Sequence, residues 1–299
     1  MDTKEINEYE KAAAVWKSTL KLARKEAKDG VPLLSLAQKI EANILKEGCG
    51  IAFPVNLSLN EEAAHFTPKY NDERTLQKSD LLKIDIGVHS NGYICDGAIS
   101  INLDNSHAKQ IEANELALEN AISVVALGKT VEIIGAEIER TLKEKGFNPI
   151  YNLGGHGLEK NNIHSSPGIP NHKNGSEEKI EEGAIAIEPF ASTGKGFIGE
   201  SAQVEIFAMG EKKGVRNTSA RKIIELSEKY ETLPFAERWL RKDALGKIND
   251  FQFTFALKEI MKLGIFENFP GLKETKGNFV SQTEKSLLVL EDKVIVLGE

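Results

Sequence analysis

Five side chains in this sequence are of the types that hold divalent cations: Asp85, Asp96, His156, Glu188 and Glu284. Four carboxylates and one imidazole form an oxygen-rich set suited to Mn, Fe, Co or Zn, with bridging carboxylates joining two ions. The chemistry implied is hydrolysis by a bridging hydroxide. Each residue alone has a plainer reading. Two aspartates can be solvated on the wet face of an antiparallel sheet, and Glu284 beside Lys285 reads equally as a surface glutamate. A single histidine is more often an ordinary polar residue. The elements that carry the five residues decide between these readings.

Leu81 to Leu103, LLKIDIGVHSNGYICDGAISINL, positions the first two. Apolar runs of period two flank Asn91-Gly92, the strongest short-range hairpin signal. With Asn91 and Gly92 as the loop, Ser90 pairs with Tyr93, Asp85 with Ala98 and Gly87 with Asp96. Asp85 and Asp96 then become diagonal neighbours on one face, about 7 Å apart between backbones, with Gly87 and Ala98 leaving open space between them. Ile84, Ile86, Val88, Ile99 and Ile101 take the opposite, core face. Two like charges in that setting are costly unless a proton or a metal lies between them.

Helical spacing predicts helices over residues 2–28 and 32–47, the first ending near Asp29-Gly30. IAFPVNLSLNEEAAHFTP follows as a short strand and a loop presenting His65. Two more helices are expected over 104–126 and 129–145. Placing residues 30–48 over 128–146 aligns Gly30 with Gly128, Leu36 with Ile134, Ile44 with Leu142 and Gly48 with Gly146. Each helix pair leads into a strand segment and a hairpin, the second expected over 181–207. The chain therefore reads as an internally duplicated α+β protein with pseudo-two-fold symmetry.

Within the second copy Glu188 shares a face with Ala184 and Ala186 and is the expected counterpart of Asp85. A lone inward glutamate would cost several kcal/mol. In YNLGGHGLEKNNIHSSPGIP, Gly154, Gly155 and Gly157 strip bulk from around His156, which should admit close approach to a ligand. His164 follows in the same stretch. Residues 212–277 carry helical patterns and no counterpart in the first copy. They are expected to form an inserted helical subdomain in a catalytic domain of residues 1–211 and 278–299. A last hairpin turns at Glu291-Asp292-Lys293, with Glu284 on the face of Val280, Leu288 and Leu290.

The bulk composition excludes several classes. At 40% hydrophobic and 28% charged over 299 residues, the chain is that of a soluble globular protein. No apolar run approaches a membrane span, and the polar, acidic opening is unlike a signal peptide. A cytoplasmic location without membrane attachment is the expectation. Cys49 and Cys95 show no CxxC spacing and no disulfide framework. A net charge of -7 disfavours general nucleic-acid binding, and the inserted region is only weakly basic for a DNA-reading module.

The order DIG at Asp85 with Asp96 following, NLGGH ending in His156, AIEPFASTGKG around Glu188 and SQTEKS around Glu284 resembles type II methionine aminopeptidases. Residues 52–68 and the insertion before Glu284 resemble that subfamily too. The resemblance implies the pita-bread fold and removal of initiator methionine from nascent chains. It implies two divalent ions, Asp85 holding one alone, Asp96 and Glu284 bridging, and His156 with Glu188 completing the second. His65 would lie near the substrate amine, His164 would polarise the scissile carbonyl, and Phe53 and Ile163 would line the methionine pocket. A bridging hydroxide would attack, with Glu188 as proton shuttle.

Relatives usually show Phe-Glu-His where this chain has Thr283-Glu284-Lys285, a departure expected to touch pocket shape or metal preference. An archaeal-like form without the basic extension of the eukaryotic enzymes is the expectation, with any ribosome contact left to the folded surface. A monomer is expected. The competing readings are an Xaa-Pro aminopeptidase or prolidase on the same fold, which the insertion argues against, and a metal-free binding protein. Five ligands and two accessory histidines together favour the enzyme.

Overall fold

The computed structural model describes residues 1–211 and 213–299. The first half runs α1 (Thr3–Glu26), α2 (Leu33–Lys46), β1 (Gly50–Ile51), β2 (Asn56–Leu59), β3 (Glu62–Ala64), β4 (Leu81–Ser90) and β5 (Tyr93–Asn102). A capping box starts α1: the Asp2 side chain accepts the Glu5 N–H, and the Glu5 side chain accepts that of Asp2. The β4–β5 register is the expected one, with Asp85 opposite Ala98, Gly87 opposite Asp96 and Ser90 opposite Tyr93. Asn91 and Gly92 both take positive φ, as a two-residue hairpin loop requires. Ile84, Ile86 and Val88 are fully buried in one core with α1 and α2.

The second half repeats the plan with α3 (Ala108–Ser123), α4 (Glu132–Glu144), β6 (Asn148–Pro149), β7 (Gly154–Glu159), β8 (Asn162–Pro170), β9 (Gly183–Ile187) and β10 (Phe190–Ser192). The aligned glycines explain why the repeat is visible. Gly30, Gly48, Gly128 and Gly146 all have φ between 77° and 85°, a region only glycine enters freely. Gly30 donates to the Leu76 carbonyl and Gly128 to that of Ile180. The isolated bridges Pro32–Thr75 and Thr130–Lys179 then occupy matching places. Leu36, Ile44, Ile134 and Leu142 are all fully buried.

Two helices are shorter at their starts than the periodicity suggests. α3 begins at Ala108 because the side chains of Asn102 and Asp104 accept the N–H groups of His107 and Ser106 and hold a turn. α4 begins at Glu132 because residues 128–131 are tied to 178–180.

The expected hairpin over 181–207 does not form. β9 pairs with β7 and with β15 (Lys285–Val289), whereas β10 pairs with β6 and β14 (Val280–Gln282). Lys285 lies opposite Ile187 and Gln282 opposite Phe190, so one register runs through 183–192 and 280–289 with a single break. Pro189, which has no N–H to give, sits in that break. This ladder is the true counterpart of β4–β5. Its turn is replaced by residues 193–279.

That excursion contains β11 (Gly199–Met209), α5 (Thr218–Ser227), β12 (Phe235–Ala236), α6 (Glu237–Ala244), α7 (Asp250–Lys262) and β13 (Phe266–Lys273). The helices close their own core around Ile223, Phe235, Phe253 and Ile260. β11 pairs with β12 and β13, and β13 reaches β3 in the first half. β16 (Val294–Val296) pairs with β15 as the expected final hairpin. Among the described residues no helix is long and apolar enough to cross a membrane.

Candidate metal centre

The two ladders meet at β5. Glu284 donates its N–H to the Ala98 carbonyl at 2.9 Å and accepts from the Ala98 N–H at 3.3 Å. Ser286 Oγ accepts the Asp96 N–H, and Ser100 Oγ donates to the Gln282 carbonyl, each at 2.8 Å. Asp96 and Glu284 are thereby brought to one point on the pseudo-axis. His156 arrives from β7, opposite Ala186 of β9. One donor atom from each of Asp96, His156 and Glu284 fits within a 4.8 Å cluster.

Asp85 and Glu188 stand beside that trio. Gln282 Nε2 lies 3.4 Å from both Asp85 Oδ2 and Glu188 Oε2. Asn56 Nδ2 reaches Asp85 Oδ2 at the same distance from β2, where Asn56 is the register partner of Asp85. All five candidate ligands line one cavity of about 320 Å³, together with His65, His164, Phe53 and Ile163. These nine residues thus share one cavity.

The electrostatics call for a cation. Burial pushes Asp96, Glu188 and Glu284 well above the usual carboxylate range, and their acidic neighbours push them further. Burial also raises Asp85, to about 6, against the opposing hydrogen bonds of Asn56 and Gln282. Asp85 Oδ1, Asp96 Oδ1 and Glu284 Oε1 are buried without a hydrogen-bond partner. Orphaned carboxylate oxygens around one cavity fit a bound divalent ion, which would supply the missing partner and charge.

The histidines are held in tautomers that suit this. His156 Nδ1 lies 3.2 Å from the Gly157 carbonyl, and His65 Nδ1 lies 3.3 Å from that of Pro270. A carbonyl only accepts, so each Nδ1 carries the proton and each Nε2 keeps its lone pair. Burial lowers His156 to about 3 and His65 to about 4, so both are neutral at pH 7. His156 Nε2 is 3.8 Å from Asp96 Oδ2. The His164 ring meets that of His156 edge-on, their centroids 4.7 Å apart, at the exposed rim.

Some expectations about small residues are corrected. A Cβ on Gly155 would lie 2.0 Å from the Ala186 carbonyl oxygen, and one on Gly157 2.0 Å from that of Ser166. These glycines serve strand packing around His156 rather than approach of a ligand. The space over Gly87 is likewise filled, by the Phe53 ring, which a Cβ would meet at 2.2 Å. Neither Thr283 nor Lys285 lines the cavity. Lys285 instead pairs with Glu299 at 2.7 Å.

Asn56 and Gln282 join the site without a motif to mark them, although each is a polar residue inside an otherwise buried strand. Ile206, Pro234 and Phe269 also line the cavity. They come from the excursion, and nothing local marked them.

The profile of metallopeptidase family M24 matches residues 7–220. The chain belongs to that family. It is 41% identical over 298 residues to a methionine aminopeptidase of Pyrococcus abyssi, covering 99% of this chain and 100% of the relative. A solved structure of a thermophilic Arx1 is similar at TM-score 0.86 and 16% identity, over 100% of this chain and 91% of that one. A Thermotoga maritima methionine aminopeptidase is similar at TM-score 0.70 and 19% identity, over 100% and 98%. The architecture is the α+β pita-bread fold that this family shares.

Proposed function

We propose that this chain is a metal-dependent aminopeptidase that removes the initiator methionine from nascent polypeptides. The observation that carries the reading is the cluster of Asp96, His156 and Glu284 within 4.8 Å on a cavity whose other walls include Phe53, Ile163 and Phe269. The full-length likeness to methionine aminopeptidases supports the substrate.

Two divalent ions, of Mn, Fe, Co or Zn, would be held by Asp85, Asp96, His156, Glu188 and Glu284. When bound, such ions polarise a carbonyl and lower the pKa of a water. Phe53, Ile163 and Phe269 give the methionine side chain an apolar wall and exclude water. His65, neutral and with its Nε2 lone pair free, accepts from the substrate α-ammonium and so selects a free chain end. His164 at the rim donates to the carbonyl oxygen as charge develops on it. Glu188 takes the proton given up by the attacking water and returns it to the leaving amine. The protein acts as a monomer that meets its substrates where they leave the ribosome.

The test is release of free methionine from a Met-Ala-Ser peptide after metal removal and separate reloading with each ion, alongside a peptide beginning Ala-Pro. Metal-dependent cleavage of the methionyl peptide alone is expected. Cleavage of the Ala-Pro peptide alone, or of neither, would overturn the reading.

A further inference from the structure

The backbone of His65 is strained, with φ at 62°. Apart from asparagines and glycines, only Glu231 shares that region among the described residues, and such conformations persist where neighbours enforce them. Much of the enforcement comes from the excursion. Arg238, on α6, is 4% exposed. Its Nη1 donates to Thr67 Oγ1 at 2.6 Å and to the Pro68 carbonyl at 3.1 Å, and its Nη2 pairs with Glu41 of α2.

Thr67 Oγ1 in turn donates to the Val55 carbonyl at 2.8 Å, and Glu41 Oε1 accepts the Val55 N–H at 3.4 Å. Trp239 Nε1 secures the other Glu41 oxygen at 3.0 Å. The pair thus grips two short segments at once. One is 53–57, with Phe53 and Asn56 on the cavity. The other is 64–68, with His65. The Leu57 N–H donates to the Phe66 carbonyl at 2.7 Å and ties them together.

We propose that Arg238, clamped by Glu41, is a positioning residue for the site: it holds His65 and Phe53 in working geometry from the far side of their loops. Arg238 touches no lining residue's side chain in this network and acts through Thr67 and Val55. Its Nε has no partner, so the two-pronged Nη fork is what the site uses. A lysine cannot supply that fork. The inference rests on the aminopeptidase reading for the role of His65, but not for its placement.

The test uses zinc-loaded protein labelled with ¹⁵N-histidine, which has six histidines to resolve. The His65 ring resonances are assigned from His65→Gln. Arg238→Lys, Thr67→Val and the double variant Glu41→Met/Arg238→Met are compared, the last removing both charges so that neither is left buried alone. All three should move the His65 resonances while leaving those of His156 in place. Each should lower kcat/KM on Met-Ala-Ser about tenfold, mostly through KM, with zinc affinity unchanged. His65 resonances like wild type in a folded Thr67→Val or double variant would overturn the proposal. So would losses of activity that merely track Tm. Failure of the wild type to release methionine would sink the functional reading, and the His65 resonances would still decide the positioning.

Discussion

Glu188 and Glu284 face each other at the one break in an otherwise continuous antiparallel ladder. Lys285 pairs with Ile187 on one side of the break, and Gln282 pairs with Phe190 on the other. Two buried carboxylates opposed in that gap repel each other. A bound divalent ion would relieve that repulsion.

Glu284→Ala should therefore abolish activity while the chain stays folded. Glu284 is 2% exposed and raised well above the carboxylate range by burial and by Asp96, so its loss removes repulsion along with little packing. Metal affinity should fall at least 100-fold or so, beyond the range seen when only supporting partners are lost. Calorimetric metal titration with thermal unfolding of the metal-free protein would check both. Retained activity would contradict the site.

Gln282→Leu should weaken metal binding about 10-fold to 100-fold, because outer partners orient the ligands. Its amide nitrogen is shared by Asp85 and Glu188. Removing it frees both carboxylates to drift while every candidate ligand remains. Unchanged affinity in a stepwise titration would mean the amide is incidental.

Gly87→Ala should act on the substrate pocket rather than on the metal. The new methyl group would press on the Phe53 ring at 2.2 Å, and the ring must move. KM for methionyl peptides should rise by about tenfold, the scale of a lost apolar contact in a specificity pocket. Metal affinity should hold. A rise in KM shared with loss of metal would place the strain elsewhere.

Glu205→Gln should remove a pH dependence of stability. Burial, with Glu237 close by, raises the Glu205 carboxyl from 4.5 to about 7. The folded chain keeps that proton to higher pH than the unfolded chain does. Its contribution is complete below pH 4.5 and is lost as pH rises through 7. Full linkage of that shift is worth about 3 kcal/mol, and water at the half-buried carboxyl screens much of it, so the variant should gain about 1 kcal/mol over wild type at pH 8 and little at pH 4.5. Urea unfolding at the two pH values would show it, and equal gains at both would refute the assignment.

Local patterns alone determined a good part of this protein. The β4–β5 register followed from Asn91-Gly92 and a period of two, because a one-residue slip would turn Ile84 and Ile86 to the wrong face. The duplication was legible because Gly30, Gly48, Gly128 and Gly146 sit where only glycine takes positive φ cheaply. Ligand types were readable one motif at a time.

What only the tertiary structure decided was pairing over long separations. β9 finds β15 rather than the strand that follows it, since no local periodicity encodes a partner about a hundred residues away, and loop closure of that length costs little more than a shorter one. Separate contacts between distant segments set Glu188 against Glu284, press Gly155 onto Ala186 of β9, and bring Phe269 and Arg238 to the site. Their neighbours in sequence carry no trace of where they end, because burial against a distant surface is a property of the folded chain.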